Sequence, residues 1–501
     1  MVVNKQNIRL IFGLKLKQLR LQKGLSFAQL SKAAGVSVSY LNEIEKGKKY
    51  PKTDKIIALA EALGVSYDQL VSLKLNKKLT PIADLLNSGI LESLPLELFG
   101  LEPSSLLELI SSAPSKINAF ISTIIKIARN YEMTQENFYF AALRSYQEMH
   151  DNYFEELEQA VDQFAREQSL DMEPPLESYR LASILQNQFG YTIDRETLHR
   201  QEELSQFRSV YVPKSKLLYI NGTLTETQQA FLLGKELAFE YLELPERPTT
   251  SNLFEVRSFE EVLSNFKASY FAVALLLNRH RLLEDLNQFF DQEAWQPEAF
   301  MALLEKYHAS PEMFLHRLSN LLPRHFGIDN FFFLRFHDQL DRENDNFHIS
   351  KELHLSQQHN PHRNDLNEHY CRRWVSIRIL EQLKANPQAQ DFQISAQRSC
   401  YLSNRSEYFC ISLAKPNSPS PHTNVSVTLG IHIDAVSRKR VKFIEHASAP
   451  KVEVNETCER CPLVNCEERA VPPTVVRQRD QQLQIRRKLA DLQAAHRAPA
   501  S

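Results

Sequence analysis

Apolar side chains recur at three- to five-residue steps from the start of the chain. In residues 8–22 (IRLIFGLKLKQLRLQ), Leu10, Leu14 and Leu19 fall at such steps with Lys and Arg between them, which predicts an amphipathic helix ended by Gly24. Ser26, three residues before Gln29, has the spacing of a capping box; it starts a second short helix with Leu30 and Ala33 inward, closed by Gly35. Ser37 caps a third helix. There Leu41 and Ile44 point one way, while Val38, Ser39, Asn42, Glu43 and Lys46 fall on the opposite side. Gly47 stops it, Pro51 opens a fourth helix through Ile56, Leu59, Ala60 and Leu63, and Gly64 precedes a last turn over residues 67–73. A five-helix domain is expected over residues 8–75.

Beyond it the pattern changes. Residues 76–150 read as a helical linker region holding Pro81, Pro95, Pro103 and Pro114, with long helices expected over 116–170. In residues 151–310, LLYINGTL reads as a strand and turn, and TETQQAFLLGKELAFEYLEL as a buried helix. From Pro311 a helix leads to the apolar strand FFFLRF, and FCISLAK, NVSVTLGIHID and RVKFIEHA alternate as further strands would, giving an α+β domain over 311–475. The tail, 476–501, reads as a basic helix with Arg477, Arg479, Arg486, Arg487 and Lys488. The fold class is multidomain and mostly α.

With 501 residues, 43% apolar and 24% charged, the composition is that of a folded soluble protein of three or four domains. Only 12 glycines occur and no two lie closer than eleven residues, so neither a Walker A loop nor a G-x-G dinucleotide fingerprint can be built. No signal peptide is visible, and the longest apolar stretch, residues 270–277, is too short to cross a bilayer; a cytoplasmic protein without a membrane partner is expected. Charge is uneven: residues 1–75 carry a net of +8, leaving −10 for the rest. That asymmetry points to a small domain that meets a polyanion.

The stretch LSFAQLSKAAGVSVSYLNEIEKGKKYPKTDKIIALAEALGVSYDQL resembles the lambda-repressor-like (XRE-type) helix-turn-helix domain nearly end to end. The resemblance implies a double-stranded DNA operator as partner, bound by a homodimer, and a DNA-binding set of Ser26, Phe27, Ser37, Val38, Ser39, Tyr40, Asn42, Glu43, Lys46, Lys48 and Lys49. Val38 suits a thymine methyl, Asn42 the paired hydrogen bonds of adenine, and the three lysines phosphates. Phe27 departs from the family, which usually has Gln there.

Residues 155–285 resemble the ImmA/IrrE-type metallopeptidase domain, but where that family carries H-E-x-x-H this chain has Lys235-Glu236-Leu237-Ala238-Phe239. The family's third ligand, a Glu, aligns with Lys267. Neither Lys nor Phe replaces a neutral imidazole on zinc, so a non-catalytic, degenerate domain is expected. Residues 311–475 resemble the C-terminal domain of the short-chain fatty acyl-CoA regulator family through FFFLRF, Cys371 with Trp374, and the C-x2-C-x4-C run of Cys458, Cys461 and Cys466. An acyl-CoA or related small-molecule effector is implied, with FFFLRF offering an apolar slot and Arg372, Arg373 and Trp374 the phosphate and adenine contacts.

The three cysteines are candidate zinc ligands, a packed knot being the alternative; His446, His432, Cys400 or Cys410 could supply a fourth donor. Six histidines between His337 and His369 fit no ligand spacing. The expected function is a transcriptional regulator. The competing readings are a metallopeptidase acting on a repressor and an antitoxin-like scaffold.

Overall fold

In the computed structural model, which describes residues 5–72, 135–251, 256–339, 347–355, 368–385, 392–416 and 423–495, the residues that break the N-terminal pattern act as helix caps. The helices are α1 (Lys5–Gln22), α2 (Phe27–Ala34), α3 (Val38–Glu45), α4 (Thr53–Leu63) and α5 (Tyr67–Val71). Ser26 Oγ accepts from the Gln29 amide at 3.2 Å while the Gln29 side chain accepts from the Ser26 amide at 2.8 Å, completing the capping box. Gly35 ends α2 at φ 58°, in the left-handed region that glycine enters without Cβ strain. Two residues later the Ser37 hydroxyl caps α3 by accepting from Tyr40 N. Gly13 has a different reason: a Cβ there would collide with the Ile44 carbonyl, so glycine lets α1 lie directly against the end of α3.

The core joins Phe12, Leu16, Leu30, Ala34, Leu41, Ile44, Leu59 and Leu63. Two expectations shift. The inward alanine of α2 is Ala34, not Ala33, which is exposed. On α1 the buried side chains include Ile11, Phe12 and Leu16, while the side chains of Leu10 and Leu14 lie outside the described residues.

The chain forms two compact units, residues 1–146 with 256–262, and residues 147–255 with 263–501. Most of the linker, including 116–134 of the expected long helices, lies outside the described residues; Gln135–Met149 and Glu155–Glu167 are helical. Residues 151–310 and 311–475, set apart by their sequence patterns, share the second unit apart from 256–262.

Residues 151–310 are mostly helical, with the strand expected in LLYINGTL present. They carry a three-stranded sheet ordered β1-β3-β2, with β1 (Thr192–Asp194) parallel and β2 (Ser209–Val212) antiparallel to β3 (Leu217–Ile220). The helix Glu226–Tyr241, boxed by Thr225 and Gln228, is buried from Leu232 to Phe239. A fully buried ion pair ties the unit together: Arg317 donates to both Glu158 oxygens at 2.5 and 2.9 Å, and Tyr270 Oη donates to the same carboxylate at 2.8 Å.

The larger sheet runs β5-β4-β8-β7-β6-β9: β4 (Phe331–Gln339), β5 (Phe347–His354), β6 (Gln393–Tyr401), β7 (Glu407–Pro416), β8 (Thr423–His432) and β9 (Lys451–Val454). All neighbours are antiparallel except β6 and β9. The helix Val375–Ala385 packs on β7 and β8. RVKFIEHA is not a strand. Its centre is a short turn of helix, Lys442–Glu445, in which Phe443 and Ile444 are buried.

Candidate functional site

On α3 the packing face and the open face separate as the period requires. Leu41 and Ile44 are fully buried; Val38 is 46% exposed, Ser39 is exposed, and Asn42 and Glu43 are half-buried beside it. Lys46, Lys48 and Lys49 continue this face in the following turn, all exposed, with Lys49 Nζ 2.8 Å from Glu43 and 5.9 Å from the Tyr40 ring centroid. The Ser26 and Ser37 hydroxyls accept from their own helices, which leaves each O–H proton to donate outward. Phe27 belongs to the packing instead: it lies against the core with the Arg20 guanidinium 4.0 Å above its ring.

That guanidinium fixes α3. Arg20 Nε and a second guanidinium nitrogen donate to the two Glu45 oxygens at 2.7 and 2.8 Å, and the third donates to the Leu25 carbonyl at 3.0 Å. The Arg20 and Glu45 side chains are 6% and 3% exposed, so the pair clamps α1 to the end of α3 out of water.

In the second unit cations collect around a single carboxylate. Glu312, at the start of the helix Pro311–Leu321, takes Arg335 Nε at 3.1 Å and Lys351 Nζ at 2.5 Å. Burial works to raise the Glu312 carboxyl, but Lys351, Arg335 and Arg208 hold it well below the usual carboxylate range. Burial lowers Lys415, and Arg208 and Arg335 lower it further. Burial, reinforced by Lys351, Arg247 and Arg208, brings Lys235 down to about 7. Its Nζ donates to the Ser251 carbonyl at 3.3 Å. Burial, with a cation as the second cause, also pushes His316 and His337 down to about 4, so both are neutral at pH 7. Arg208, Arg335, Lys351 and Lys415 thus surround Glu312 with positive charge in excess, Lys235 feels the same cations through Lys351 and Arg208, and the cluster reaches the surface at Lys351 (58% exposed) and Glu312 (30%).

On the same helix as Lys235, Glu236 is buried and paired with Arg247. That guanidinium also meets Glu240 at 3.3 Å and lies 3.4 Å from the Tyr211 ring centroid and 4.9 Å from that of Phe239. An arginine therefore fills the space beside the Lys-Glu-Leu-Ala-Phe stretch.

Cys371, Cys458, Cys461 and Cys466 line one cavity, with Arg372 and Arg373 on its wall. Arg469 holds this loop by donating to the carbonyls of Cys458 at 2.8 Å and Cys461 at 3.3 Å, and to that of Leu463. Burial, to which the neighbouring Cys458 and Cys461 add against opposing backbone hydrogen bonds at Asn455 and Arg373, pushes the Cys371 thiol up to about 11. Among the described residues no three His, Cys, Asp or Glu side chains converge closely enough to hold a metal ion.

Residues 16–70 match the helix-turn-helix family model, and residues 191–319 match that of the IrrE N-terminal-like domain. An uncharacterized HTH-type transcriptional regulator of Bacillus subtilis, YazB, is 38% identical over 60 residues, 12% of this chain and 87% of its own. The chain belongs to the helix-turn-helix family. Over a longer stretch, the HTH-type transcriptional regulator RamB of Mycobacterium tuberculosis is 24% identical across 334 residues, 62% of this chain and 65% of RamB, just under two thirds of that protein. The propionyl-CoA carboxylase regulator of Cereibacter sphaeroides is 23% identical across 350 residues, 65% of this chain and 68% of that one. A solved Mycobacterium tuberculosis transcriptional regulator aligns at 21% identity with a TM-score of 0.46, covering 66% of this chain and 94% of that chain. So loose a likeness carries no residue roles.

Outside the helix-turn-helix domain, several sequence expectations need correction. Trp374 is 4% exposed and packs among Phe336, Tyr370 and Tyr401, so its ring offers no surface to an adenine. Arg372 lies 4.5 Å from the Phe347 ring centroid and 3.7 Å from Glu381. The aromatic rings of FFFLRF are core side chains, not an open slot; its Arg335 is the member that reaches the cationic cluster. The fourth thiol at the cysteine cavity is Cys371, not His446, His432, Cys400 or Cys410. Of the six histidines, His337 and His348 pair across β4 and β5, His369 bonds Glu459 at 2.9 Å, and His359 and His362 lie outside the described residues. Sequence reasoning missed Arg208, Arg335, Lys351 and Lys415 altogether, since cations in four separate segments share no spacing.

Proposed function

We propose that this chain is a sequence-specific DNA-binding transcriptional regulator whose operator affinity is set by a coenzyme A thioester. The observation that carries the first half is the open face of α3, where Val38, Ser39 and Asn42 stand clear of a core that holds the helix rigidly. A helix of this kind enters a major groove, its first turn over the base edges and the flanking lysines on phosphates. The +8 charge of residues 1–75 supplies the attraction, so binding falls steeply with added salt. As a homodimer the protein wants half-sites about one helical turn apart.

The effector half rests on the cationic cluster. Buried like charges are costly unless an anion joins them, and a coenzyme A thioester brings several phosphate charges. Arg208, Lys235, Arg335, Lys351 and Lys415 are the groups assigned to those phosphates, in place of the Arg372-Arg373-Trp374 set. The resemblance of the C-terminal segment to the short-chain fatty acyl-CoA regulators supports this reading, as does the likeness to a propionyl-CoA carboxylase regulator.

No peptidase activity is part of this proposal. Lys235, Phe239 and Lys267 stand at the positions of the family's zinc ligands, and Arg247 neutralises Glu236. The cysteine cavity is the place for a thiophilic ion such as zinc, whose binding would require the thiols to draw together.

The test is a thermal-shift and operator-binding series on the full chain with acyl-CoAs of increasing length, beside a metal assay. Acyl-CoA is expected to raise the melting temperature and change operator affinity, and free coenzyme A to do less. Undiminished promoter binding by a chain lacking residues 1–75 would overturn the DNA assignment. No stabilisation by any acyl-CoA would remove this effector class.

A further inference from the structure

The helix Thr474–Ala495 is 22 residues long, and every side chain from Arg477 to Gln493 is exposed. In proteins most helical stability comes from packing an amphipathic face, and this helix has no such packing along Arg477 to Gln493. Four of its six Val, Ile and Leu residues share one seam with two glutamines, while Val476 and Leu483 lie off it. Val475, Gln478, Gln482, Ile485, Leu489 and Leu492 follow one another at steps of three, four, three, four and three, the a and d positions of consecutive heptads. Ile485, Leu489 and Leu492 are each more than half exposed, in a chain that otherwise buries most large apolar side chains.

We propose that this helix is a dimerisation element that pairs, parallel and in register, with the same helix of a second copy. The 3-4 spacing calls for a helical partner that supplies holes for these knobs. The flanking charges select which partner. Beside the seam stand Arg479, Arg486 and Gln493 at e positions and Gln481 and Lys488 at g positions. In a parallel pair g meets e′ of the next heptad, so Gln481 faces Arg486 and Lys488 faces Gln493, and no two cations meet. An antiparallel pair brings e against e′ and sets Arg479 beside Arg486. In-register pairing also places Gln482 opposite Gln482, where two amides can bond across the seam and fix register as a buried Asn does. A second copy of this chain brings all of these together.

Light scattering and sedimentation on the full chain test this. The expected mass is twice the 58.0 kDa of one chain, falling to 58.0 kDa in a Leu489→Asp, Leu492→Asp double variant. Both side chains are exposed, so circular dichroism of the double variant should match that of the wild type apart from this helix. Leu492→Cys is expected to form an intermolecular disulfide under mild oxidation beyond the wild-type background. In an antiparallel pair the two residues 492 would lie about 25 Å apart and could not cross-link. A wild-type mass of one chain up to tens of micromolar overturns the proposal. So does a double variant that keeps the dimer mass, or a Leu492→Cys dimer that does not cross-link. Unchanged mass with weaker DNA retention in the double variant would reassign the helix to the phosphate backbone.

Discussion

Replacing Glu45 with Ala removes one half of a buried, bidentate ion pair and leaves the other half in place. Arg20 then keeps its bond to the Leu25 carbonyl at 3.0 Å and its seat over the Phe27 ring, but loses both charge-assisted bonds, at 2.7 and 2.8 Å, where water does not reach. Stranding a buried charge in this way costs about 3–5 kcal/mol. A domain of this size has only about 3–10 kcal/mol in total. At about 4–8 °C per kcal/mol, its melting temperature should fall by at least about 12 °C. DNA binding would go with it, because Glu45 ends the reader helix α3.

Hydrogen exchange on the full chain measures this at the amides of α1 to α4. Both tryptophans, Trp295 and Trp374, lie in the other compact unit, so indole fluorescence serves as an internal control that should not move. The double change Arg20→Met, Glu45→Leu removes both charges and is expected to recover most of the loss, since apolar pairs of similar volume often replace buried ion pairs without cost. Added salt should weaken DNA binding while leaving α1–α4 protection nearly constant, because a pair shielded from solvent is poorly screened. Unchanged protection in Glu45→Ala would refute the clamp.

Asn42→Ala is expected to relax preference at one base pair at a cost of about 1–3 kcal/mol, whereas Lys46→Ala should weaken all sequences alike and lower the salt slope by about one; selection on randomised operators separates the two. Lys235, held near 7 against an ordinary 10.5, is charged below pH 7 and neutral above it. Acyl-CoA affinity should therefore be greatest below pH 7 and fall as pH rises, by at most about tenfold per unit, with the trend abolished in Lys235→Met. For the protein alone the sign is the reverse: the unfolded chain holds more protons between the two values, so Lys235 makes stability rise with pH across that window. Glu236→Gln takes the charge from a pair in which Arg247 keeps Glu240, so about 1–3 kcal/mol should be lost with DNA binding intact; zinc-dependent peptide cleavage that vanished in this variant would make the helix catalytic.

The N-terminal domain was legible in the sequence because its determinants act over short range. A hydroxyl caps an amide three residues on, a glycine ends a helix where it stands, and a period of 3.6 sets Leu41 and Ile44 against Val38 and Asn42. The same locality explains the misses. Period alone placed Ala33 inward where packing chose Ala34. Alternation made RVKFIEHA look like a strand, whereas burial of the adjacent Phe443 and Ile444 is met by a helical turn. What no spacing encodes is which distant segments meet. Arg20 finds Glu45 across two turns and a helix, Cys371 lines the cavity of Cys458, and Arg208, Lys235, Arg335, Lys351 and Lys415 come from five separate segments. Charge and burial are properties of those meetings, so the cationic cluster and the burial of Trp374 were decided only by tertiary structure.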